Sequence, residues 1–354
     1  MGRIKSVILR NELEDDHIQW IRACERFSDD IEYRVVNLTC DTWLEDIRQD
    51  DCDILLAKPG GLTAPFKQLY DERIVILSEI LGYKIFPSPA EILIYENKRL
   101  LSFWLKANGI PHPATSVFYD ADEVVRFVKA TGYPFVAKTN IGASGSGVTI
   151  IEDERDAMQY VKSTFRGRGA PQRTGPNLER GGWLSRGSRY LLHPSELKRK
   201  MSIYRAKAAN LQKGFVIFQE YIPHDFEWRA VRVGDSFFAH KKIKQGARSS
   251  GSLLKSYENP PLKLLDFIRD ITDRFGFYSQ AIDVFESDRG YLVNEMQCIF
   301  GQSDAYQMTV DGIAGRYIRS EGEWVFEPGD FARNGCYDLR LEVLIANDNL
   351  TRGK

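Results

Sequence analysis

The stretch Lys138-Thr139-Asn140-Ile141-Gly142-Ala143-Ser144-Gly145-Ser146-Gly147 decides how this chain is read. Phe135-Val136-Ala137-Lys138 has the aromatic and β-branched content of a short strand, and Val148–Ile151 reads as the strand that follows the loop. A strand therefore ends on a lysine and opens into three glycines and two serines. Glycine lets successive backbone N–H groups turn toward an anion with no Cβ in the way. The lysine adds a compact positive charge for phosphate oxygens. Here the lysine precedes the glycines, and strands stand on both sides, so the run is not a P-loop. No helix starts at the glycines, so it is not a dinucleotide fingerprint either. Taken alone, such a Gly/Ser-rich hairpin also serves as a plain flexible turn.

Upstream, residues 1–88 alternate strand and helix signals. Short apolar runs at 6–9, 32–37 and 53–57 are enriched in Val and Ile, and between them lie amphipathic stretches such as 13–27, with Ile18, Ile21 and Phe27 on one face. This βαβ rhythm predicts a small parallel sheet covered by helices. Lys58-Pro59-Gly60-Gly61 turns the chain at the end of the third run, where α/β folds place ligands; it reads as a substrate contact or as a solvated turn. A single helix is expected over 90–108, closed by Gly109, and a second over 122–131, capped by Asp120 or Asp122.

Downstream, residues 164–190 are rich in Gly and Arg and poor in large aliphatics, which predicts a loop or mobile insertion. From Gly214 the pattern turns to strands at 215–220, 230–233, 236–243, 280–285 and 291–296, interrupted by one helix, Leu262–Phe275. Asp283 lies in one of these strands, and Glu295 and Gln297 in the next, with a turn at 287–290. Residues i and i+2 of a strand share a face, so Asp283 can oppose Glu295. Carboxylates beside an amide oxygen make the hard site Mg²⁺ prefers. The bland alternative, two surface acids, fits poorly with the apolar setting Ala281-Ile282-Asp283-Val284-Phe285, where an unpaired carboxylate is costly.

Bulk properties narrow the classes. The 354 residues suffice for two or three packed units. No apolar run approaches the ~18–20 residues that span a bilayer, and the first apolar run is too short for a signal core, so the chain reads as cytoplasmic. Five cysteines with no CxxC spacing and five scattered histidines indicate neither a disulfide framework nor a zinc site. The net charge of −1 hides an asymmetry: residues 153–213 carry 14 Lys/Arg against five acids, leaving −10 on the remainder. Such a surplus attracts an anion or is a solvated insertion.

In order and spacing these pieces resemble the ATP-grasp superfamily, most closely its carboxylate–amine ligases, over nearly the whole chain. The resemblance implies an α/β (α+β) fold: a small parallel N-terminal domain (1–88), then an ATP-grasp domain (89–354). The latter comprises a central and lid subdomain at about 110–222, containing the basic insertion 153–213, and a C-terminal catalytic subdomain at about 223–354. Glu96-Asn97-Lys98-Arg99, followed by Ala107-Asn108-Gly109-Ile110-Pro111-His112-Pro113, resembles the start of the central part. Lys98 and Lys138 match the two ATP lysines, with Gly142, Ser144, Gly145, Ser146 and Gly147 as the phosphate loop. Gln219-Glu220-Tyr221-Ile222 resembles the hinge that meets adenine, and Glu227 the acid on the ribose hydroxyls. Arg229 and Arg248 match the arginines near the γ-phosphate, and Asp283, Glu295 and Gln297 the magnesium ligands. Gln297 stands where asparagine is usual, Ser250 replaces an asparagine common in peptide-forming ligases, and Gly301-Gln302-Ser303-Asp304 lacks the usual proline.

The resemblance implies ATP with two Mg²⁺, Mn²⁺ being able to substitute, and formation of an acyl phosphate and then an amide from small carboxylate and amine substrates. The basic insertion suggests a multiply anionic substrate and, with the glycine loop, a lid. Ligases of this family are often homo-oligomers. Two other classes stay open: an ATP-grasp kinase acting on a small anionic molecule, and a nucleic-acid or polyanion binder. Against the latter, Trp183, Tyr190 and Tyr204 are too sparse for a stacking platform.

Overall fold

The computed structural model describes residues 2–142, 145–175, 194–245, 248–249, 254–300, 304–347 and 350; for 194–196, 245, 248 and 249 it describes the backbone alone. The expected loop at 164–190 thus falls largely outside the described residues, as does part of the basic insertion.

The N-terminal sheet is parallel, in the order β2-β1-β3-β4, with β1 Ile4–Arg10, β2 Ile31–Asn37, β3 Ile54–Ala57 and β4 Ile85–Phe86. Val7, Ile8 and Leu9 of β1 are wholly buried, because parallel strands are covered on both faces. Helices α1 Ile18–Arg26, α2 Trp43–Arg48, α3 Ala64–Val75 and α4 Pro89–Ile94 accompany it, and a π-helical turn, Ile76–Ile80, prolongs α3. Helix α1 starts at Ile18 rather than at residue 13; its fully buried residues are Trp20, Ala23 and Cys24, and of the expected face Ile21 and Phe27 pack half-buried against the same core. The Trp20 indole anchors that face by donating to Ala57 O at 3.0 Å.

The helix expected over 90–108 is two helices, α4 and α5 Lys98–Ala107. The break falls at Glu96, whose φ is +50°. Such a left-handed residue ends many helices, but the position ordinarily takes Gly or Asn. Asn97 then caps α5 by accepting the Leu100 N–H at 3.2 Å. One consequence is that Lys98 heads a new helix instead of sitting in the middle of a long one.

The second sheet is antiparallel, in the order β5-β8-β6-β7, with β5 Thr115–Phe118, β6 Phe135–Lys138, β7 Val148–Ile151 and β8 Val216–Glu220. Helix α6 Ala121–Ala130 is capped by Asp120, and α7 Glu154–Arg166 by Asp153, each cap contributing about 1 kcal/mol. Val124, Val128, Ala157 and Tyr160 from these helices pack on Phe135, Ala137 and Phe218. Because α7 runs to Arg166, the irregular stretch begins there and not at 164. Helix α8 Pro194–Ala209 precedes β8.

Among the described residues the third sheet has nine strands. β9 Phe226–Val233, β10 Ser236–Gln245, β13 Ser279–Ser287 and β14 Gly290–Gln297 form its site-bearing part, in the order β14-β13-β9-β10. Short strands β11 Arg248–Ser249 and β12 Lys255–Ser256 pair with β10, and β15 Thr309–Val310, β16 Ile313–Ser320 and β17 Glu323–Pro328 extend the far edge. Helix α9 Leu262–Phe275 covers it with Leu264, Leu265 and Ile268. The final helix, α10 Arg333–Ala346, returns to the N-terminal core, where Tyr337, Leu341 and Leu344 are buried beside Trp20. No sequence expectation covered β15–β17 or α10, although Trp324-Val325-Phe326 of β17 is a short apolar run.

Candidate active site

A cleft of about 870 Å³, including space open to solvent, lies between the second and third sheets. Its upper wall is Val136, Lys138, Val148 and Ile150 with 219–222; its lower wall is Glu227, Lys242, Phe285, Asn294 and Glu295, and Lys98 closes one end.

Lys138, the last residue of β6, is buried, and its Nζ donates to Asn294 Oδ1 at 2.7 Å. Burial lowers its pKa to about 8; Glu295 opposes the shift and Lys98 adds to it. Asn294 reaches this position because β14 is bulged. The register passes from Asp283↔Glu295 to Val284↔Val293, leaving Asn294 as the extra residue. Lys98 Nζ donates to Gly142 O at 2.8 Å and lies 3.6 Å from Glu295 Oε1 and 3.9 Å from Glu96 Oε2.

The glycines of the loop are structural necessities. Gly145 has φ +64°. A Cβ on Gly147 would lie 1.7 Å from Thr139 Oγ1, where the Thr139 N–H bonds Gly147 O at 2.8 Å. Ser146 Oγ is buried and has no hydrogen-bond partner among the described residues. Ala143 and Ser144 lie outside them.

Below the cleft sits a buried charge network. Asp283, 1% exposed, accepts from Arg229 Nε at 2.8 Å and Nη2 at 3.0 Å, and from Lys242 Nζ at 2.7 Å. Lys242 Nζ also reaches Glu227 Oε2 at 3.0 Å. Burial alone would raise the Asp283 carboxyl; Arg229 and Lys242 more than offset it and hold it well below the usual carboxylate range. Gln297 Oε1 accepts from Arg229 Nη2 at 3.3 Å, and Gln297 Nε2 approaches Glu96 Oε1 at 3.5 Å. Thus Asp283, Glu295 and Gln297 do come together, but Asp283 is already engaged by two cations. Among the described residues no group of three His, Cys, Asp or Glu side chains is assembled to hold a metal. The oxygens of Asp283, Glu295 and Gln297 still suit a hard cation: Asp283 accepts three of the roughly four hydrogen bonds a carboxylate can take.

At the other end, Gln219 Nε2 donates to Thr115 Oγ1 at 3.0 Å, and Glu220 pairs with Arg289 at 2.8 Å. Lys244 Nζ donates to the Tyr221 hydroxyl at 3.1 Å, and Ile222 is buried with Phe285. Glu227 faces Lys242 and His224, the latter at 3.9 Å. The Arg248 backbone pairs with β10, while its side chain lies outside the described residues. The sequence reading missed Lys242, Asn294, Glu96, His224 and Phe285. Only Glu96, quoted with Asn97-Lys98-Arg99 but given no role, had a signal within reach.

A second depression of about 780 Å³ lies where β3 ends, lined by Lys58, Asp16, Arg22, Tyr95, Phe300 and Tyr337 among others. Lys58 Nζ pairs there with Asp16 at 3.0 Å. Among the described residues no helix is long and apolar enough to cross a membrane.

No protein-family model matches the chain. Two curated relatives align with parts of it. The carbamoyl phosphate synthase large chain of Methanocorpusculum labreanum is 24% identical over 127 residues, 35% of this chain. That of Methanothrix thermoacetophila is 29% identical over 79 residues, 22% of this chain. The chain matches only 12% and 7% of the lengths of these relatives. Among solved structures, D-alanine–D-alanine ligase from Bacillus anthracis complexed with ATP superposes with a TM-score of 0.53 at 13% identity, covering 98% of this chain and 97% of that one. N5-carboxyaminoimidazole synthetase from Staphylococcus aureus complexed with ADP gives 0.53 at 12% identity, covering 86% and 73%. The biotin carboxylase domain of Hydrogenobacter thermophilus 2-oxoglutarate carboxylase, with MgADP and bicarbonate, gives 0.52 at 15% identity, covering 85% and 65%. At such identities the likeness speaks for architecture, and with the three sheets and their cleft it shows that this chain has the ATP-grasp fold.

Proposed function

We propose that the chain is an ATP- and Mg²⁺-dependent ligase that activates a small carboxylate as an acyl phosphate and couples it to an amine, forming ADP and phosphate. One observation carries this reading: Lys98, Lys138 and the loop glycines line one cleft with Glu227, Glu295 and Lys242, and Lys242 is bonded in turn to Asp283 of the buried Arg229–Asp283 pair. The similar solved structures named above are complexes with ATP, ADP or MgADP.

In this reading Lys98, Lys138 and the 142–147 backbone hold the triphosphate, 219–222 border the adenine, and Glu227 takes the ribose hydroxyls. A substrate carboxylate oxygen attacks the γ-phosphorus and the bond to ADP breaks. An amine nitrogen then attacks the acyl carbon, phosphate leaves, and the amine loses a proton. The protein's part is alignment and charge neutralisation. Arg229, steered by Asp283, and Arg248 offset charge developing on the transferred group. Asp283, Glu295 and the Gln297 carbonyl oxygen would hold Mg²⁺, which supplies Lewis-acid polarisation of the phosphates. The glycine loop with part of the basic insertion would close over the reacting end and exclude water.

The test is incubation with ATP, Mg²⁺, a panel of carboxylic acids and hydroxylamine. A hydroxamate with equimolar phosphate is expected. ADP formed with neither product would make the protein a kinase, and no nucleotide binding at all would defeat both.

A further inference from the structure

We infer that Glu96 is a further cation ligand of the cleft, giving a carboxylate oxygen to a divalent cation held with Glu295 and the nucleotide phosphates. This rests on the ligase reading above, whose metal set comprises Asp283, Glu295 and Gln297 without Glu96.

The backbone is the first observation. Glu96 has φ +50° at the end of α4, where glycine would be the unstrained choice. Strain at a non-glycine residue persists where the surroundings over-determine it, and such residues gather at functional sites. Here the turn sets a long carboxylate side chain beside Lys98 and Gln297, directly behind Lys98 and Gly142 of the cleft lining.

The second observation is the side chain. Glu96 is 6% exposed, and its Oε2 accepts no hydrogen bond from any described residue. Lys98 Nζ is 3.9 Å from it, the Gly142 N–H favours the ionised carboxylate, and the other oxygen has the 3.5 Å approach of Gln297 Nε2. A buried carboxylate oxygen left unpaired is costly, and the cost disappears when a cation binds.

The third is charge balance. Glu295 lies on Lys98 as well, at 3.6 Å, so two carboxylates share one ammonium. Burial pushes the Glu96 carboxyl up, Lys98 opposes that, and Glu295 adds to it. Other lysines do not fill the gap: Lys67 is hydrogen-bonded to Asp71 and Ile92 O, and Lys207 of α8 acts only through space. Once Lys98 turns to a phosphate, both carboxylates lose their cation while more negative charge arrives. Two carboxylates and phosphate oxygens are the hard oxygen ligands a divalent cation takes.

The test titrates Mn²⁺ into the full chain with saturating ADP, reading free Mn²⁺ by electron paramagnetic resonance. Wild type, Glu96→Gln and Glu96→Asp are compared, with ADP affinity measured separately in EDTA and folding checked by thermal melting. Glu96→Gln is expected to weaken ADP-dependent Mn²⁺ binding at least tenfold or to remove one bound ion, with ADP affinity in EDTA unchanged. Glu96→Asp, which keeps the charge and tolerates positive φ, retains part of the binding. An unchanged Mn²⁺ isotherm for Glu96→Gln overturns the inference and leaves the ligase reading intact. So does an equal loss of ADP affinity in EDTA, which would make Glu96 a mere support for Lys98. If the wild-type chain takes up no Mn²⁺ with ADP, the ligase reading itself fails.

Discussion

Lys138, at the end of one sheet, donates its ammonium to Asn294 on the bulge of another at 2.7 Å. This contact spans the cleft and, in the proposed reading, keeps a buried lysine where phosphate binds. Because burial lowers the free lysine to about 8, it is charged below that pH and neutral above it. Phosphate raises the pKa again, so binding takes up a proton above about 8. ADP affinity is therefore expected to fall as pH rises from 7 to 9. Lys138→Met should lower affinity by roughly 10–100-fold, in line with ~1.5–3 kcal/mol for a charge-assisted bond, and should abolish that pH step. Calorimetric titration with ADP at several pH values checks both.

The Thr139–Gly147 crossing gives a steric prediction. Gly147→Ala would push a methyl into Thr139, whose Oγ1 and Cβ lie 1.7 and 2.8 Å from the added atom. The loop must shift, and ADP affinity should fall at least tenfold. Adding Thr139→Gly restores it, whereas Thr139→Ser, which keeps both atoms, does not.

Arg229 and Asp283 form a buried pair that is costly to split. Arg229→Met leaves Asp283 with Lys242 alone, and Asp283→Asn leaves two cations facing an amide. Each should cost about 3–5 kcal/mol. Urea unfolding checks this, and the double variant should lose less than the sum of the two.

His240 sets an acid limit. It is 3% exposed, its Nδ1 lies 2.9 Å from Gln307 O, and its Nε2 has no partner among the described residues. Burial, then the Arg229 charge, lower its pKa from 6.5 to about 4. Between these values the unfolded chain binds a proton that the folded chain does not, so stability falls as pH drops through that window. The loss is at most roughly 3 kcal/mol at 1.36 kcal/mol per pH unit. Denaturation from pH 7 to 4 should show it, and His240→Gln should flatten the slope.

Lys58 tests the second depression. If acceptor binds beside the Lys58–Asp16 pair, Lys58→Met raises the acceptor KM several-fold and leaves the ATP KM unchanged. An unchanged acceptor KM returns Lys58 to a plain ion pair at the end of β3.

The sequence by itself determined the elements whose signal is local. The alternation of apolar runs set the parallel N-terminal sheet, the Asp283 and Glu295 strands carried their own pattern, and Lys138 with three glycines marked a loop that lines the cleft. What only tertiary structure decided depends on contacts between residues far apart in the chain. Helix 90–108 breaks because Glu96 adopts φ +50° against Gly61 and Lys98, and no propensity of a glutamate announces that. Asn294 enters the cleft through a one-residue bulge that shifts the register, and strand alternation cannot foresee it. Lys242 looks like any strand lysine until β9 and β13 bring Glu227 and Asp283 to it. Charge pairing inside a low-dielectric core is a property of the assembled sheet, because it exists only once all three partners have lost their water.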